Sequence, residues 1–239
     1  MFRHFTYCAT RPLIALISVL LWSASPGHAQ ACRLALVLGF DVSRSVDEQD
    51  YRLQTNGIVA ALNDRQIRRL LLRSPPHVAL AVFEWAGQYE QTLISDWTIL
   101  DSATAIDGLV GRIQSHQRGH NGLTAVGSAL TFARDLMQRG PNCLWQTIDL
   151  AGDGALNNGP APRRIYDTTN FGGIVVNGLA IGAHEDQIEH WFRRNVLHGP
   201  GAFVEFASTH EDFADAFRRK LIRELTEPLL GALQLPEAG

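Results

Sequence analysis

The stretch RLALVLGFDVSRS, residues 33–45, decides how the rest of the chain is read. Leu34 to Phe40 is a continuous apolar run, the pattern of a strand buried on both faces of a parallel sheet rather than on one. Asp41, Ser43 and Ser45 follow it, placing a carboxylate and two hydroxyls at alternate positions just beyond the strand end. Such hard oxygen donors suit Mg²⁺, Mn²⁺ or Ca²⁺. A divalent-cation site is therefore the first functional expectation.

Outward from this stretch, short apolar runs alternate with amphipathic ones. Helices are expected over Asp47 to Leu62, Asp101 to Ser115, Thr124 to Met137, Arg163 to Asn170, Asp186 to Leu197 and Glu211 to Leu225. Strands are expected over His77 to Trp85, Leu144 to Ala151, Ile174 to Ile181 and Ala202 to Ala207. Gln88 to Trp97 reads as a hairpin-connected strand, since only a short turn at Gly87 precedes it. Pro75-Pro76, Gly140-Pro141-Asn142, the Asn- and Gly-rich segment 155–162 and Gly199-Pro200-Gly201 punctuate the pattern. The alternation predicts an α/β fold: a doubly wound, mainly parallel six-stranded sheet with one antiparallel edge strand and helices on both faces.

Residues 1–29 differ from the rest. Arg3 and Arg11 are the only formal charges, Leu13 to Trp22 is apolar, and Gly27-His28-Ala29 offers small residues where a signal peptidase cuts. The apolar part is far short of the roughly 20 residues that span a bilayer. The expectation is a signal peptide over 1–29, a domain over 30–227 and a tail over 228–239, in an exported protein, periplasmic or secreted, with no stable membrane insertion after cleavage. Cys32 lacks the preceding large aliphatic residue of a lipid-anchor site. Removing Arg3 and Arg11 from 21 basic residues leaves 19 against 24 acidic ones, a net charge of −5 that offers nothing to nucleic acid. Cys8 would leave with the leader. Cys32 and Cys143 then remain as an even pair in an oxidising compartment, which suggests a disulfide, with two buried free thiols as the alternative.

In a doubly wound sheet, ligands bind beyond the carboxyl ends of the strands where strand order reverses. Asp41 ends the first strand and Asp153, within Gly152-Asp153-Gly154, ends the fourth, so the two carboxylates should face one another across that crevice. Gly122-Leu123-Thr124 brings a third hydroxyl to a helix entry. The D-x-S-x-S at Asp41 to Ser45, Thr124 and Asp153 together resemble the metal-ion-dependent adhesion site of von Willebrand factor A domains, and the resemblance runs from about Arg33 to Leu225. It implies that the Ser43, Ser45 and Thr124 hydroxyls bind Mg²⁺ (or Mn²⁺ or Ca²⁺) directly, with Asp41 and Asp153 contacting it directly or through water. One coordination position is left for an Asp or Glu of a partner protein. Neutral hydroxyl ligands leave the ion electron-poor, which favours that acid.

Plainer readings stand beside each residue. Ser43 and Thr124 could be helix caps, and Asp153 between glycines could be a turn residue. Asn157 and Asn158 could rim the crevice and shape partner choice, or form a plain turn. His116 and His120 lie four apart, but Gly119 and Gly122 point to a loop with solvated histidines rather than a metal pair. His184 could line the rim, although a polar loop position is the plainer reading. Trp85, Trp97, Trp145 and Trp191 read as core or half-buried packing. Arg44, between the serines, should point away from a cation or meet an acidic partner.

Two other functions are possible on this sequence. An aspartate after the first strand also serves phosphotransferases as nucleophile, but the position two residues on is Ser43, which cannot supply the proton a leaving group needs. No G-x-S-x-G, Walker or H-E-x-x-H motif is present. The expectation is a non-enzymatic protein-binding domain, with a domain whose metal only stabilises the fold as the alternative. If strands one and four are parallel neighbours, Cys32 and Cys143 sit at matching heights at the end opposite the metal.

Overall fold

The computed structural model describes Met1 and residues 32–73, 76–182 and 187–232. The expected signal peptide beyond Met1, His184 and the end of the expected tail lie outside those residues. The strands are β1 (Cys32–Asp41), β2 (Val78–Trp85), β3 (Gln91–Leu100), β4 (Cys143–Gly152), β5 (Val175–Ile181) and β6 (Val204–Ala207). They form one sheet in the order β3-β2-β1-β4-β5-β6, parallel throughout except for the antiparallel edge strand β3. Order reverses between β1 and β4, which is where the expected crevice falls.

The helices are α1 (Glu48–Asn63), α2 (Arg65–Leu71), α3 (Ala103–Ser115), α4 (Val126–Gln138), α5 (Pro162–Thr168), α6 (Ile188–Asn195) and α7 (Phe213–Ala232). Alternation along β1 sorts them into two layers. Leu34, Leu36, Leu38 and Phe40 face a core built with α1, α2, α3 and α7, whereas Ala35 and Val37 face one built with α4 and α6. Phe40 meets the rings of Phe213 and Phe217 edge-on, at centroid distances of 6.2 and 5.8 Å, which fixes α7 against the sheet. The face toward α4 carries Ala35, Ala79 and Ala81 beside larger residues such as Phe83 and Trp85, and α4 is held close to the loop at Pro160. A Cβ at Gly127 of α4 would lie 2.0 Å from the Pro160 carbonyl oxygen, a contact with backbone that cannot swing away. Gly127→Ala is accordingly expected to lower stability by about 1 to 3 kcal/mol, read as a lower urea midpoint with unchanged slope.

Most boundaries shift by a few residues, β3 for instance from the expected Gln88–Trp97 to Gln91–Leu100, and three differences bear on the site and the core. α2 was not expected: its Arg-rich sequence buries only Ile67 and Leu71, and it is started by Asp64, whose carboxylate accepts from the Gln66 and Ile67 N–H groups. α4 begins at Val126, so Thr124 stands in the loop before it. α7 continues through Pro228 to Ala232 instead of giving way to a tail at 228. Proline removes a single N–H from the helical ladder, so helix can continue on both sides of it. The four expected tryptophans behave as read, Trp85 fully buried and Trp97, Trp145 and Trp191 half-buried.

Cys32 and Cys143 are Cα partners in the β1–β4 ladder and form a disulfide with a Cα separation of 4.6 Å. It lies at the start of both strands, one strand length away from Asp41 and Asp153. Beneath the sheet a second polar feature lies wholly inside. The Lys220 ammonium of α7 reaches Asp149 Oδ1 of β4 at 2.6 Å and Glu224 Oε1 at 2.8 Å. Asn177 of β5 donates to Glu224 Oε1 and accepts from the Phe203 N–H.

Candidate cation site

β1 delivers Asp41 to the crevice, and its following loop folds back over it. The Ser43 N–H donates to Asp41 Oδ1 at 2.7 Å. Helix α1 does not draw on Ser43 for its cap, because Asp47 accepts from the Gln49 and Asp50 N–H groups itself in a capping box. Nor is Thr124 spent on α4, whose N-cap is Ala125 and has no side-chain cap hydrogen bond. Thr124 Oγ1 donates instead to Ser43 Oγ at 3.2 Å, which in turn lies 3.2 Å from Ser45 Oγ. Ser45 Oγ donates to Asp153 Oδ1 at 2.7 Å, just beyond the end of β4. Five oxygen-bearing side chains from three segments thus form one chain of contacts, and the cap and turn roles do not account for them.

Four of the five residues, Asp41, Ser43, Thr124 and Asp153, are buried, and Ser45 is partly exposed. Two carboxylates in such a place repel. Burial first, and the Asp153 carboxylate second, push Asp41 up to about 8 against the pull of its Ser43 hydrogen bonds and of Arg118. Asp41 Oδ2 is buried with no hydrogen-bond partner. A bare Gly152 lets β4 come this near, since a Cβ there would lie 3.1 Å from that oxygen. An orphaned carboxylate oxygen, a second buried carboxylate and three convergent hydroxyls fit the chemistry of a small hard divalent cation. Among the described residues no grouping of three or more His, Cys, Asp or Glu side chains is arranged to hold a metal; this cluster brings together two carboxylates and three hydroxyls.

The loops around the cluster are fixed by residues that the sequence did not single out. Arg118 donates to the carbonyls of Val42 at 2.7 Å and Ser43 at 3.0 Å, and to that of His120 at 2.8 Å. Glu84, fully buried at the end of β2, accepts from the Gly119 N–H at 2.7 Å. His116 and His120 are not solvated as expected: His116 Nε2 lies 3.1 Å from Glu84 Oε2, and His120 Nε2 lies 2.9 Å from Thr92 Oγ1. They hold the loop that carries Thr124. The available signal was a lone Arg in a Gly-rich loop opposite an acid inside an apolar strand. The side-chain oxygen of Asn157 accepts from the Thr124 N–H at 2.8 Å, and that of Asn158 accepts from the Gln88 N–H, also at 2.8 Å.

The sheet order and its two helical layers are those of a von Willebrand factor A-like α/β fold. Within that class, the model of a family described as protein of unknown function (DUF1194) matches residues 31–229, and the chain belongs to that family. No curated protein matches it in sequence. Among solved structures it is similar to proximal thread matrix protein 1 from the mussel byssus, described with a zinc-occupied adhesion-site motif, at TM-score 0.58 and 18% identity over 81% of this chain and 46% of that one. A von Willebrand factor type A protein from Catenulispora acidiphila aligns with TM-score 0.55 and 14% identity, covering 81% of this chain and 43% of that one. The pilus adhesin SpaC from Lactobacillus rhamnosus GG aligns with TM-score 0.59 and 13% identity, covering 85% and 31%. The chain spans less than half the length of each of these proteins. At such identities the likeness establishes the fold. Among the described residues no helix is long and apolar enough to cross a membrane.

Proposed function

We propose that this chain is an exported, divalent-cation-dependent protein-binding domain. Asp41, Ser43, Ser45, Thr124 and Asp153 would hold Mg²⁺, or Mn²⁺ or Ca²⁺, and an Asp or Glu of a partner protein would complete the coordination. The observation that carries this reading is the pair of fully buried carboxylates, Asp41 and Asp153, closed over by three hydroxyls, with Asp41 Oδ2 lacking any hydrogen-bond partner. A bound cation would supply an electron-poor centre there. The chain's own part is to keep that centre dry on the sheet side, through β1 and β4, and to hold the hydroxyl loops with Arg118 and Asn157.

Adhesin and matrix proteins among the structural neighbours favour a binding role over catalysis, and Ser43 in place of a second acid gives a phosphotransferase no proton donor. The leader over residues 1–29, cut after Ala29, and the Cys32–Cys143 disulfide both suit an oxidising compartment outside the cytoplasm.

Titration calorimetry of the mature domain with Mg²⁺ and Mn²⁺ tests the site. Wild type is expected to bind one ion, and Asp41→Ala to lose at least ~10-fold in affinity, in line with the removal of a metal ligand. Unchanged affinity in Asp41→Ala would sink the assignment. If the ion raises thermal stability but no acidic ligand is ever retained, the metal serves only to fasten β1 to β4.

A further inference from the structure

Three side chains on the loops around the cluster are exposed although the backbone beneath them is pinned. Arg44 lies between Ser43 and Ser45, and its N–H donates to the Gly122 carbonyl at 2.8 Å while its guanidinium stands in solvent. Leu123, 42% exposed, separates Gly122 from Thr124. Tyr89, 89% exposed, tips the β2–β3 turn. That turn is closed by Ala86 N–H to Glu90 O at 2.9 Å and by Gly87 N–H to the Glu90 carboxylate at 2.9 Å.

The same turn is tied to both neighbouring loops. Gln88 N–H bonds Asn158, and the Glu90 carboxylate fits against Gly122, where a Cβ would come within 1.9 Å of Oε2. Glu90 is thereby turned inward, toward Gly87 and Gly122. Of the other exposed large apolar residues, Ile99 and Leu144 belong to the opposite end of the sheet, and Phe206 to the edge strand β6. Single exposed apolar residues are ordinary. A Tyr, a Leu and an Arg on loops whose backbones are pinned at one crevice are a different matter, because a pre-organised backbone lowers the cost of binding, and Tyr and Arg are enriched among the residues that carry binding energy.

We propose that Arg44, Tyr89 and Leu123 form the specificity surface of this domain, and that the partner they fit is a protein segment whose coordinating Asp or Glu is flanked by bulky apolar side chains. The inference rests on the cation-bridged reading above. Tyr89 and Leu123 cover the apolar flanks, and Arg44 complements the negative charge of the approaching acid. Arg44 acts mainly on encounter and salt dependence, and the two apolar residues on residence time.

Fluorescence polarisation with two labelled heptapeptides tests this on the mature domain in Mg²⁺. One peptide carries a central Leu-Glu-Leu, the other a central Ser-Glu-Ser, both flanked by glycines. The expected result is that the Leu-flanked peptide binds at least ~10-fold more tightly, and that chelator abolishes binding of both. The double variant Tyr89→Ser/Leu123→Ser should bind the two equally while keeping the wild-type Mg²⁺ affinity by calorimetry. Arg44→Ser should weaken both peptides and flatten their salt dependence. Equal binding of the two peptides to wild type, or a preference that survives the double variant, overturns the proposal. Mg²⁺ binding without retention of either peptide overturns it together with the partner reading but leaves the metal site standing; failure to bind Mg²⁺ removes the site itself.

Discussion

Lys220→Met is expected to destabilise the domain by about 3 to 5 kcal/mol, the range for removing one partner of a buried ion pair. Lys220, Asp149 and Glu224 are all at least 95% buried, and the ammonium lies within ion-pair distance of both carboxylates. Burial by itself would lower the Lys220 pKa, but Asp149 and Glu224 outweigh it and hold the ammonium above its ordinary value. Burial first, and the Asp149 charge second, push Glu224 up from 4.5 to about 8 against the pull of Lys220. A folded-state pKa raised above the unfolded value contributes stability below pH 4.5 that is lost as pH rises through 8. Urea unfolding across that window should show stability falling, and Glu224→Gln should flatten the fall. Replacing Lys220, Asp149 and Glu224 together with apolar residues should recover most of the loss, short of what Asn177 forfeits with Glu224 gone.

Cys32→Ser/Cys143→Ser is expected to cost roughly 5 kcal/mol, because the bridge closes a loop with a sequence separation of 111 and the chain-entropy cost grows with its logarithm. The double serine variant, or the wild type after reduction, should unfold at a much lower urea concentration with a steeper dependence, since the unbridged unfolded chain exposes more surface. The cation affinity of any protein still folded should change little. The disulfide ties the starts of β1 and β4, and the oxygen cluster lies at their far ends.

The parts of this molecule that could be read from sequence are those in which one residue type has one use. Leu34 to Phe40 can only be an internal strand, and the turn residues on either side of each apolar run mark where strands stop. Asp41, Thr124 and Asp153 were legible as a set because doubly wound topology brings the ends of β1 and β4 together, although each residue alone suits a cap or a turn. Helix α2 was missed because its arginines mask the spacing of Ile67 and Leu71. Lys220 and Glu224 fall within the helix expected over Glu211 to Leu225, and no local pattern reveals that Asp149 meets Lys220 inside the fold. Arg118 and Glu84 hold the hydroxyl loops through backbone groups, and such contacts leave no side-chain motif in the sequence.

Crystals of the mature domain soaked in Mn²⁺ and measured for anomalous scattering test the central claim most directly. A single peak enclosed by Asp41, Ser43, Ser45, Thr124 and Asp153, with one coordination position facing out of the crevice toward the Arg44 loop, is the expected result. A manganese peak elsewhere, or a fully occupied shell drawn from this chain alone, would contradict it.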